Sequence, residues 1–119
     1  MGRFVKSFGY AFSGLGYAFK SQFNFKVHVL ILVLVGIAGC WLKLSATEWL
    51  WIAVAGGVVL VVELLNTAIE VLVDLVSPAI HPKAKIIKDV AAAAVLVAAV
   101  TALLIGLLIF VPKIVSYAA

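Results

Sequence analysis

Apolar residues along this chain fall into three long runs and one short-period pattern. From Val27 to Leu42 the run is apolar except for His28, and with Asn24 and Phe25 ahead of it reaches the roughly 20 residues that cross a bilayer. A second run, Trp49 to Val76, crosses with a turn or two to spare, although its second half holds Glu63, Asn66, Glu70 and Asp74. The third, Val90 to Val111, is interrupted only by Thr101 and Gly106 and is expected to stop at Pro112, which cannot continue a helix. Spans are thus expected over 25–43, 48–76 and 88–111. The segment from Arg3 to Ser21 differs. At 100° per residue, Phe4, Phe8, Phe12, Leu15 and Phe19 share an arc of about 80°, with Arg3, Lys6, Tyr10, Ser13, Tyr17 and Lys20 opposite. This predicts a surface helix over 2–22, aromatics in the acyl boundary and cations near anionic headgroups. A soluble amphipathic helix packed on a partner is the alternative.

Composition sharpens that pattern. Of 119 residues 66% are hydrophobic and 12% charged, with a mean hydropathy of +1.29, against about 45–50% and about 25% in soluble domains. A soluble multidomain enzyme and a disordered chain are excluded, and one membrane domain, 1–119, is expected. Cys40 is alone and reads as a small apolar filler. About 26 residues precede the first span and no small-residue cleavage site follows it, so it is expected to stay rather than be removed as a signal peptide.

Charge gives orientation. Arg3, Lys6, Lys20 and Lys26 precede the first span, and Lys83, Lys85 and Lys88 lie between the second and third, whereas the first loop holds only Lys43 beside Glu48. The positive-inside rule puts the N-terminus and the Ser77 to Lys88 loop in the cytoplasm. Pro78 and Pro82 bracket a loop that cannot be helical throughout, so the second and third spans are expected to form a hairpin with a cytoplasmic tip, and Glu48 reads as an ordinary loop residue.

The acids are not scattered. Glu63, Asn66, Glu70 and Asp74 are spaced 3, 4 and 4, which puts all four on one helix face. Carboxylates in hydrocarbon cost roughly 2.5–3.5 kcal/mol or more and usually face a bundle interior or a wet cavity. Two bland readings stand beside a functional one: pairing with Lys of a neighbouring helix, and Asp74 with Glu70 solvated beyond the membrane. The second grades the stripe from Glu63 in the acyl layer to Asp74 at the cytoplasmic boundary. Such a gradient suits phosphate transfer from a cytoplasmic nucleotide to a hydroxyl that stays in the membrane. Glu70 fits a Mg²⁺ ligand, since that ion keeps one or two carboxylates plus substrate phosphates. Desolvation makes a carboxylate a stronger base, which suits the deepest acid, Glu63, to accept the alcohol proton, with Asn66 holding the hydroxyl or a phosphate oxygen. Lys88 fits a phosphate clamp, and Asp89 a metal-side or helix-capping carboxylate. No Walker A sequence or Gly-rich loop is present. His28, at the headgroup edge, reads as a polar anchor rather than a ligand; His81, in the cytoplasmic loop, as either a bystander or a nucleotide contact.

The run Glu63-Leu-Leu-Asn66-Thr-Ala-Ile-Glu70-Val-Leu-Val-Asp74 resembles the ExxN(S/T)AxExxVD signature of the prokaryotic diacylglycerol kinase family, small integral membrane kinases. The resemblance extends to Lys88-Asp89 and the alanines after them, and to Arg3, Lys6 and Gly9-Tyr10. Asn24-Phe25-Lys26-Val27-His28, Glu48-Trp49 and Val76-Ser77-Pro78 resemble the family's Gram-positive branch, whose members mostly phosphorylate undecaprenol. It implies an all-α homotrimer of three-span subunits with N-terminal surface helices and active sites shared between protomers. It implies Glu63 as catalytic base, Glu70 as metal ligand, and Asn66, Asp74, Lys88 and Asp89 lining the site, with Arg3 and Tyr10 contacting the nucleotide. Gln22 stands where many members have a second metal-binding Glu, and Ala79 where many have a nucleotide-contacting Glu, leaving His81 as the polar group there. The expectation is an ATP- and Mg²⁺-dependent lipid alcohol kinase, acting on undecaprenol or, alternatively, on diacylglycerol. A non-enzymatic membrane subunit or ion pathway is the alternative of another class.

Overall fold

The computed structural model describes residues 2–119, which form four helices and, among the described residues, no strand: α1 Gly2–Ser21, α2 Phe23–Trp41, α3 Ala46–Val76 and α4 Pro82–Ala118. The last three are long and apolar enough to cross a membrane. Helices α3 and α4 form an antiparallel hairpin, α2 packs along α3, and α1 turns away at the extended residue Gln22 to lie across the foot of α2 and α3.

Each break has a local cause. Helix α2 ends in a Schellman motif: the Leu44 N–H donates to the Gly39 carbonyl at 3.1 Å and the Lys43 N–H to Cys40 at 3.3 Å. That motif needs a left-handed residue, and it falls on Lys43, with φ of 56°. Helix α3 starts on a capping box in which Ser45 Oγ accepts from the Glu48 N–H while the Glu48 carboxylate accepts from the Ser45 N–H. Glu48 is therefore a capping residue, not the ordinary loop residue expected, and it also pairs with Lys113 at 3.0 Å.

Two expected ends of the third span's helix are corrected. The helix begins at Pro82, where the non-helical segment ends, rather than at about residue 88, because the first helical position needs no N–H donor and His81 caps it, its Nδ1 accepting from the Lys83 N–H at 3.1 Å. Asp89 is consequently inside α4, salt-bridged to Lys85, and cannot be its cap. Nor does Pro112 stop the helix, which continues to Ala118. A membrane helix tolerates proline where its neighbours hold the freed backbone. Here Lys113 on Glu48 and Tyr117 against Trp41, ring centroids 5.2 Å apart, anchor the turns beyond it.

Register follows from small residues. A methyl on Gly56 would meet Leu32 at 2.5 Å and one on Gly39 would meet the Trp49 ring at 2.6 Å, so α2 and α3 approach closely at two heights. This antiparallel register sets His28 opposite Glu63 and Gln22 opposite Glu70. The body is a slab, 58 × 43 × 21 Å, with mostly small or branched apolar residues such as Ile52, Ala55, Val59 and Ala98, and one aromatic, Phe25, buried at the seams and most large apolar side chains on the outside. That inversion suits a hydrocarbon solvent.

Candidate functional site

All four polar residues of the α3 stripe keep one face, and their burial falls along it. Glu63 is 2% exposed and the largest fully buried side chain. Asn66 and Glu70 are partly buried, and Asp74, one turn further, is exposed. At roughly 1.5 Å per residue, the stripe runs about 16 Å from the apolar interior to the cytoplasm-facing end expected from the basic residues.

Each carboxylate has its own neighbour. His28 Nε2 from α2 lies 3.1 Å from Glu63 Oε1, off the line a hydrogen bond needs, so this buried oxygen has no donor. Thr67 turns its hydroxyl to the Glu63 backbone carbonyl at 2.9 Å, not to the carboxylate. Glu70 accepts from two amides, Asn66 Nδ2 at 3.3 Å and Gln22 Nε2, from the corner between α1 and α2, at 3.4 Å. Asp74 receives the Lys88 ammonium across the hairpin at 2.6 Å. The pairing with a neighbouring helix's lysine weighed as a bland reading thus applies to Asp74 alone, whereas Glu63 and Glu70 have no Lys or Arg partner among the described residues.

Six of the ten residues singled out from the sequence, Glu63, Asn66, Glu70, Gln22, Asp74 and Lys88, lie along this stripe. Asp89 is held by Lys85, and His81 is engaged as the cap of α4. Arg3 and Tyr10 are exposed on α1, with no side-chain polar contact to the rest of the chain among the described residues. His28 faces Glu63 rather than serving only as an anchor at the headgroups, a partnership that periodicity within one helix does not reveal. Its signal was an ionisable group in an otherwise apolar span.

Donor chemistry at Glu70 fits a magnesium ion. That ion takes oxygen ligands and few carboxylates, and beside Glu70 the buried Asn66 Oδ1 lacks any hydrogen-bond donor, an orphaned acceptor that a cation would satisfy. Among the described residues no cluster of three or more His, Cys, Asp or Glu offers a closed all-protein metal cage. Such a site leaves coordination for phosphate oxygens.

A cavity of roughly 390 Å³ opens between α2 and α4, with α3 at its back. Its lining is aliphatic, from Ile31 and Leu32 through Ala55, Gly56 and Val59 to Gly106, with Phe110 as its one aromatic carbocycle and His28 as its one polar side chain. The hydrocarbon-lined space therefore ends at the histidine that touches Glu63.

A sequence model of the family described as prokaryotic diacylglycerol kinase matches residues 9–110. The chain is 45% identical to the undecaprenol kinase of Bacillus subtilis over 95% of its own length and 92% of that protein's. It is 43% identical to a diacylglycerol kinase of Synechocystis over 92% of its length, spanning 63% of that longer protein. With the diacylglycerol kinase of Escherichia coli K12 it shares 31% identity over 86% of its length and 84% of the relative's.

Proposed function

The chain belongs to the prokaryotic diacylglycerol kinase family and is a lipid kinase, and from that premise we propose that it transfers the γ-phosphoryl group of ATP to the hydroxyl of undecaprenol. The observation that carries this reading is the graded stripe: a buried Glu63 beside an aliphatic cavity, and eleven residues on, an exposed Asp74 paired with Lys88. Lipid hydroxyl and soluble nucleotide need such a gradient in order to meet.

Glu63 removes the hydroxyl proton, and the oxygen attacks the γ-phosphorus in line as the bond to the β–γ bridging oxygen breaks and ADP leaves. Asn66, one turn nearer the cytoplasm, orients the acceptor oxygen or the phosphoryl group by hydrogen bonding. Glu70, with Asn66 and Gln22 beside it, would hold Mg²⁺, which when bound offsets charge on the phosphates. Lys88 exchanges Asp74 for a phosphate oxygen, and Asp89 and His81 flank the nucleotide from the start of α4. Arg3 and Tyr10 on α1 reach the nucleotide from above or from a neighbouring protomer, in a homotrimer embedded in the bacterial inner membrane with the N-terminus cytoplasmic. The open α1, held to the body through Ala18 near its end, and the thin slab with its exposed apolar faces support such an assembly.

Lining chemistry favours a polyprenol. Its hydroxyl is attached to pure hydrocarbon, whereas a diacylglycerol brings two ester carbonyls beside its hydroxyl, and His28 alone among the lining side chains offers a polar group. The names of the Synechocystis and Escherichia coli relatives favour the second reading, diacylglycerol phosphorylation. Either reading requires Glu63. Glu63→Gln is expected to lower phosphoryl transfer from radiolabelled ATP to lipid by about 10²- to 10⁴-fold, the worth of a general base, while the oligomer on gel filtration is retained. Full activity in that variant would remove Glu63 from the chemistry.

A further inference from the structure

Glu63 is nine-tenths buried and more, yet only one side chain among the described residues pairs with its carboxylate, and that side chain comes from another helix. Helix neighbours with hydrogen-bond donors are occupied: Thr67 bonds a backbone carbonyl and Asn66 bonds Glu70. His28 is itself partly buried, with a side chain 22% exposed, and it stands where the aliphatic cavity ends. A carboxylate surrounded by hydrocarbon is free to rotate unless something polar fixes it, and a base must lie within hydrogen-bond reach of the proton it takes.

We infer that His28 is a positioning residue of the phosphoryl transfer: its Nε2–H holds Oε1 of Glu63 so that the other carboxylate oxygen is left to take the lipid hydroxyl proton. The inference rests on the reading of Glu63 as the base. Contact at 3.1 Å but out of line becomes a hydrogen bond by a small rotation of the ring, and catalytic hydrogen bonds commonly tighten only when substrate is bound. The close approach of α2 to α3 at Gly56 and Gly39 fixes the height of the imidazole. His28 acts through Glu63 and does not touch the nucleotide end of the stripe, so its loss affects turnover and not nucleotide binding.

The test is a double-mutant cycle in lipid micelles with kcat and the KM for ATP measured separately. His28→Leu keeps the volume and loses the donor, and is expected to lower kcat about tenfold to a hundredfold, the worth of a hydrogen bond to a charged group, with KM for ATP unchanged. His28→Gln, whose Nε2 reproduces the lost donor, is expected to recover most of that loss, and His28→Asn, too short to reach, is not. In a Glu63→Gln background, His28→Leu is expected to have no further effect, because it acts through the missing carboxylate. Additive losses, or equal activity in the Leu, Gln and Asn variants, would overturn the inference while leaving Glu63 as base. Full activity of Glu63→Gln alone would instead overturn the reading on which it rests. Should His28→Leu fail to fold, the Gln and Asn pair decides the matter by the same comparison.

Discussion

Glu70 has two amides on its carboxylate and no cation, while Glu63 has one imidazole, and this difference in neighbours separates their proposed tasks. Replacing Glu70 with Gln keeps the size and removes the charge a divalent ion requires. The Mg²⁺ concentration for half-maximal turnover is then expected to rise about tenfold or more, read from a magnesium titration at fixed ATP, and an unchanged titration would take Glu70 out of metal binding. At this scale the sequence was informative within one helix and silent between helices. Glu63, Asn66, Glu70 and Asp74 were legible as a face because their separations are helical periods. His28 stands 35 residues before Glu63, and no local spacing relates them. The place of Gln22 came from family resemblance alone, and its amide does lie against Glu70.

Among the elements, the loop between α2 and α3 carries a measurable strain. Lys43 holds φ at 56° in the motif that ends α2, where glycine is the usual occupant. Left-handed backbone costs a residue with a Cβ roughly 1–2 kcal/mol, part of which glycine loses again as chain entropy. Lys43→Gly is therefore expected to raise stability by about 0.5–1 kcal/mol in thermal unfolding of the detergent-solubilised protein; a loss of stability would show that the lysine side chain has a contact role. Hydrophobic runs made all three spans legible, but not the length of α4. Pro82 and Pro112 both read as breaks, because a proline's effect depends on what surrounds it: one sits at a helix start that His81 caps, the other ahead of turns that Glu48 and Trp41 hold. Those contacts join residues 65 and 76 positions apart, beyond any periodicity.

For the whole molecule, nine Lys and Arg stand against five acids, and seven of the nine lie on α1, at the start of α2 and at the start of α4. This is the end to which the acid stripe opens, so in the proposed reaction ATP would approach a cationic mouth while the lipid would stay in the aliphatic cavity between α2 and α4. Screening weakens attraction between exposed charges as the Debye length shrinks from about 10 Å at 0.1 M salt. The KM for ATP is accordingly expected to rise severalfold between low salt and 0.5 M salt, with the KM for lipid nearly constant in the same micelles; parallel changes in both would place the effect in the protein or micelle rather than at the mouth. The cavity was not legible in the sequence, since its walls come from three helices and its space follows from small residues such as Ala55, Ala102 and Gly106. Its chemistry leads to the most direct test. With undecaprenol and diacylglycerol present together at equal mole fraction in mixed micelles and radiolabelled ATP as donor, the label is predicted to appear predominantly in undecaprenyl phosphate. Predominant labelling of phosphatidic acid, or no labelling of either lipid, would contradict the account.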